Sequence, residues 1–171
     1  MRITLRGSSV YYPEGVVDVG IIVVSLFKNP LQERAVELLS HILLQRKRAT
    51  IPVAAILGAY HVATKYLKLP AVEVKKALVE MLETKSPAFY PYVFPEDAAD
   101  ALNYATYYRV ESWDGYLVKL AKSIGNNIIY TLDESLRRIR DIIVVNPFPQ
   151  ELVEEYHKFI QRKLARGIDV G

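Results

Sequence analysis

The stretch ESWDGYLVKLAKSIGNNIIYTLDES, Glu111 to Ser135, holds both kinds of element from which the chain is built. Trp113, Tyr116, Leu117, Leu120, Ala121 and Ile124 recur at three- and four-residue spacing, which predicts an amphipathic helix with that stripe turned inward. Ser112 is the predicted N-cap, and Gly125 stands just past the helix end. NIIYTL then reads as a short buried strand. A helix leading into a continuous apolar strand is the pattern of a parallel-sheet crossover. An acid stands at each junction, Asp114 in the first helical turn and Asp133 behind the strand.

The same alternation continues in both directions. Upstream, GVVDVG predicts a short strand ending at Asp18, and the following IIVVSLF is open between strand and buried helix. Leu31, Ala35, Leu38, Ile42 and Leu43 mark an amphipathic helix, and ATI a second short strand. Pro52 suits a first helical turn, opening a mostly buried helix over VAAILGAYHVATKYL, and Pro70 opens another with Val74, Leu78, Met81 and Leu82 as its stripe. AFYPYVF has strand composition, but Pro91 cannot donate to a ladder, which predicts an edge or irregular strand. EDAADALNYATYYR places acids at the positive end of a helix and Arg109 at its negative end. Downstream, IIVVNP is another strand, and QELVEEYHKFIQRKLARG a C-terminal helix. The expected fold is a three-layer α/β/α arrangement around a central, mostly parallel sheet. We expect one domain over residues 1–171, with a short extension at 1–14 that adds a strand or hairpin.

A chain of 171 residues suits such a domain. With pI near 9.0 and a formal charge of +3, the basic excess permits a nucleic-acid partner without demanding one. There is no cysteine, so disulfides and thiolate metal sites are excluded. The first residues carry charges and turn formers where a signal peptide needs an apolar core, and no apolar run reaches membrane-spanning length, so a cytoplasmic location is expected. Few Met and abundant Arg, Lys, Glu and Tyr fit a heat-adapted organism.

In open parallel sheets ligands bind beyond the carboxyl ends of the strands. Asp18 and Asp133 follow predicted strands and Asp114 begins a helix, so all three are expected on one rim. Carboxylates so gathered repel one another and are commonly neutralised by a hard cation such as Mg²⁺ or Mn²⁺. Such an ion serves phosphodiester cleavage. Each aspartate also has a purely structural reading: Asp114 against the helix dipole, and Asp133 as the cap of a short helix before ESLRR.

The order of these motifs resembles the PIN domain, the fold of VapC-type toxin ribonucleases. The resembling segments are VVDVG with Asp18 and Gly20, RVESWDGYLVKLAKSIG with Asp114 and Gly115, and IIYTLD with Thr131 and Asp133. The resemblance runs from about Gly15 to Pro147. It implies a metal-dependent endoribonuclease acting on single-stranded RNA, with Asp18, Asp114 and Asp133 holding Mg²⁺ or Mn²⁺ and Thr131 bonding a carboxylate or an attacking water. It also implies a homodimer and, for toxin members, a small antitoxin protein as partner. The family carries a fourth acid six residues after a proline that Pro52 resembles, and Gly58 stands there instead. Glu111, three residues before Asp114, is the expected substitute, ahead of His61, one turn beyond Gly58. The alternative is a catalytically impaired PIN fold that binds RNA or a protein partner. A haloacid-dehalogenase-like phosphatase would need an acid where Gly20 stands, and the paired acids of a receiver domain are missing.

Softer signals are the basic runs QRKR at 45–48 and RRIR at 137–140, suited to phosphates, and Tyr104, Tyr107 and Tyr108, suited either to base stacking or to packing. His41 is expected at the surface, and His157 has no evident partner.

Overall fold

Valines and isoleucines placed in twos and threes between longer helical patterns give very short strands. In the computed structural model, which describes residues 14–165, β1 is Val16–Val17, β2 Ile51–Pro52, β3 Phe89–Tyr90, β4 Ile128–Tyr130 and β5 Ile143–Val145. β1, β4 and β5 pair side by side in parallel, as do β2 and β3. A parallel bridge between Val16 and Thr50 joins the two groups, with the Val17 amide donating to the Thr50 carbonyl at 2.8 Å. The resulting order is β3-β2-β1-β4-β5, with β1 in the middle. β3 lies at an edge and stops at Tyr90, as Pro91 requires.

Alternate strand residues face opposite sides of the sheet. Val17, Ile51 and Tyr130 belong to one apolar cluster, packed by α1 (Val19–Ser25), α2 (Gln32–Leu43), α3 (Val53–His61), α4 (Ala71–Glu83) and α7 (Gln150–Ala165). Val16, Ile129 and Val144 belong to the other, packed by α5 (Pro95–Tyr108) and α6 (Ser112–Ser123). The fold is therefore three-layered α/β/α around a parallel sheet. The extension expected at 1–14 falls almost entirely outside the described residues. Among those residues, no helix is long and apolar enough to cross a membrane.

Several sequence expectations are resolved or corrected. IIVVSLF forms helix, not strand: Val19, Ile21, Ile22, Val23 and Val24 are all buried, and burial on this scale outweighs the small helix penalty of β-branched residues. The helix expected over VAAILGAYHVATKYL is interrupted, since α3 passes into a π-helical turn at Val62–Tyr66. The N-cap of α6 is Glu111, with extended φ −68° and ψ 159°, and Ser112 is already its first helical residue. Pro52 is the N-cap of α3 rather than a residue of its first turn.

Helices α5 and α6 pack backbone against backbone at Gly115. A Cβ on Gly115 would stand 2.1 Å from the Ala101 carbonyl oxygen and 2.9 Å from the Ala105 nitrogen. The turn between the helices runs through Arg109, held left-handed at φ 53°, with the Val110 amide returning to the Ala105 carbonyl at 3.0 Å.

Candidate active site

Because the strands run parallel, the segments leaving β1 and β4 emerge at one rim, and a cleft of about 850 Å³ opens there. Asp18, Glu111, Asp114 and Asp133 all line it. So do Gly58 and His61, while Thr131 lies beneath, fully buried.

Asp18 follows β1 directly and caps α1. Its amide donates to the Tyr130 carbonyl at 2.9 Å, which ties it to the neighbouring strand. Its Oδ2 accepts the Thr131 hydroxyl at 2.6 Å, and the Thr131 oxygen accepts the Asp133 amide at 2.9 Å. One threonine thus couples two of the acids. Burial pushes the Asp18 carboxyl above its ordinary pKa and the Asp133 charge adds to this. The Thr131 hydroxyl and the nearby Val19 and Gly20 amides pull it back, although neither amide closes a full cap hydrogen bond.

Asp114 is pushed up to about 6, first by burial and then by the charges of Asp18, Asp133 and Glu111. The nearby Glu111 backbone amide at the start of α6 pulls it back. Asp133 Oδ1 accepts the Ser135 amide at 2.8 Å and so caps the 3₁₀ turn Glu134–Arg138. The structural readings of these two acids are therefore real, and each still leaves carboxylate oxygen toward the cleft. Among the described residues, no three acid or histidine groups close around a single point at ligand distance.

Gly58 packs closely. A Cβ there would lie 3.1 Å from Val19 Cγ2 and 3.5 Å from Trp113 Cζ2. Trp113 corrects the sequence analysis. Its place in the apolar stripe of α6 predicted burial, yet it is 40% exposed and lines the cleft. At the second residue of a helix no preceding turn covers such a side chain, and this is the signal that periodicity alone misses.

The two basic runs separate. Arg138 lines the cleft and donates to the Arg109 carbonyl at 2.8 Å, and Arg109 lines it too. Arg137 instead pairs with Glu134 at the surface. Residues 45–48 precede β2 and so stand at the opposite end of the sheet; Lys47 lies over the Tyr130 ring at 5.2 Å. Tyr104, Tyr107 and Tyr108 pack on one another along α5, away from the cleft, with Tyr107 largely exposed. His41 is half-buried and His157 exposed beside Tyr156.

The family model described as PIN domain matches residues 15–142, well over half of the chain. No curated protein matches it.

Proposed function

The chain belongs to the PIN domain family, and from that premise we propose that it is a metal-dependent endoribonuclease cutting single-stranded RNA. The family's nuclease-type fold supports this reading. The observation that carries it is one cleft lined by Asp18, Glu111, Asp114 and Asp133, in which the Asp18 and Asp114 carboxyls are lifted by burial and by the charge of neighbouring acids.

Hard carboxylate oxygens under mutual repulsion fit a divalent cation such as Mg²⁺ or Mn²⁺. Asp18, Asp114 and Asp133 would hold it, with Glu111 assisting, and water and substrate oxygens would complete its shell. A bound ion would supply positive charge against the phosphate and acidify an attacking water. Thr131 keeps Asp18 turned toward the site, and Arg109 and Arg138 offer charge to the RNA backbone from the cleft wall. Dimerisation and pairing with an antitoxin follow from the resemblance and belong to the same proposal, as does a cytoplasmic location.

Gly58 favours a second reading, a PIN fold that binds RNA or a protein partner without cutting, because this side of the cleft supplies no acid. One experiment separates the two. Purified protein is incubated with varied single-stranded RNAs and Mn²⁺, beside Asp114→Asn. Cleavage lost in the variant supports the nuclease; intact RNA throughout, or full activity in Asp114→Asn, overturns it.

A further inference from the structure

Besides its acids, the cleft has an aromatic wall that phosphodiester chemistry does not need. Trp113 stands next to Asp114 in the chain and keeps 40% of its surface in contact with solvent. Its indole edge lies over Gly58, where a Cβ would meet Trp113 Cζ2 at 3.5 Å. One turn further on, His61 and Tyr66 meet edge to face at 5.6 Å and line the same cleft, with Tyr66 63% exposed. Arg109 and Arg138 line it too.

An exposed indole in a concave site leaves a large apolar face open to water, a feature that marks a ligand surface. The neighbouring chemistry specifies the ligand. Carboxylates suited to a cation that meets phosphate, guanidinium groups suited to the backbone, and a flat aromatic face in the same cleft match an unpaired nucleotide. We propose that Trp113, seated on Gly58, is the stacking platform for a nucleobase adjoining the scissile phosphate. In a duplex both faces of each base are already stacked, so the platform selects single strands. This rests on the ribonuclease reading and adds to it the residue that grips the base.

Trp113 is the single tryptophan of the chain, so its fluorescence reports the contact directly. Wild-type protein without metal is titrated with a short single-stranded oligoribonucleotide, with the same oligonucleotide bearing abasic positions, and with an RNA duplex. Cleavage with Mn²⁺ is measured in parallel. Quenching by the first ligand alone is expected. Read by anisotropy of an end-labelled oligoribonucleotide, Trp113→Ala should weaken single-strand affinity about tenfold and Trp113→Phe should restore most of it; equal affinity in Trp113→Ala and wild type, or equal loss in both variants with an unchanged circular dichroism spectrum, overturns the platform. RNA cut without any quenching overturns the platform and leaves the nuclease standing. Quenching without cleavage keeps the platform and overturns the nuclease, and neither signal overturns both.

Discussion

The Thr131 hydroxyl donates to Asp18 Oδ2 at 2.6 Å across the β1–β4 pair, and its oxygen accepts the Asp133 amide at 2.9 Å. A fully buried side chain thus fixes one acid and the backbone of another. Thr131→Val keeps the shape but leaves a carboxylate and an amide without this partner. We expect a loss of about 1–3 kcal/mol in urea unfolding, together with weaker Mn²⁺ binding by calorimetry. Thr131→Ser should keep most of both.

Asp114 is expected to destabilise the metal-free fold. A carboxyl raised from 3.8 to about 6 contributes favourably below its unfolded value and loses that contribution as pH rises through about 6. Asp114→Asn should therefore be more stable than wild type in chelator at pH 7, by about 1–2 kcal/mol once solvent screening is allowed for. The gap should close toward pH 4, and added Mn²⁺ should stabilise wild type far more than the variant. Thermal melts across that range check both statements.

Proton release follows from the same shift. Between about pH 5 and 7 Asp114 is partly protonated, and a cation binding there must displace that proton. Calorimetry of Mn²⁺ binding near pH 5.5, in two buffers of different ionisation enthalpy, should give different apparent heats. Near pH 8 the difference contributed by this group should vanish.

Gly115→Ala tests the helix pair behind the site. The new methyl would overlap the Ala101 carbonyl, at 2.1 Å, and helix backbone has little freedom to retreat. Overpacking of this kind costs about 3 kcal/mol. Gly58→Ala meets only the Val19 and Trp113 side chains, at 3.1 Å and 3.5 Å. It should cost less than about 1 kcal/mol while shifting the Trp113 emission.

Much of this was legible in the chain. Alternating helical and short apolar patterns specified the layers, and Asp18, Asp114 and Asp133 could be assigned to one rim because parallel strands release their loops on one side. Periodicity failed at ends. Ser112 and Trp113 sit in the first turn of α6, where the helical stripe does not yet decide what is covered. The division of RRIR into Arg138 at the cleft and Arg137 outside it depends on a 3₁₀ turn, whose period differs from that of an α-helix. The seat beneath Trp113 required knowing that α3 and α6 meet, which no local pattern carries.

The placement of β1 beside β4 has a consequence for the order of events in folding. The contact between Asp18 and Thr131 closes a loop of 113 residues, so it forms only after most of the chain is available and ordered. A ribosome-bound chain that has not yet emerged through β4 holds Asp18 without its partners. The cleft therefore cannot assemble before β4 has emerged, and any activity it carries is withheld until then.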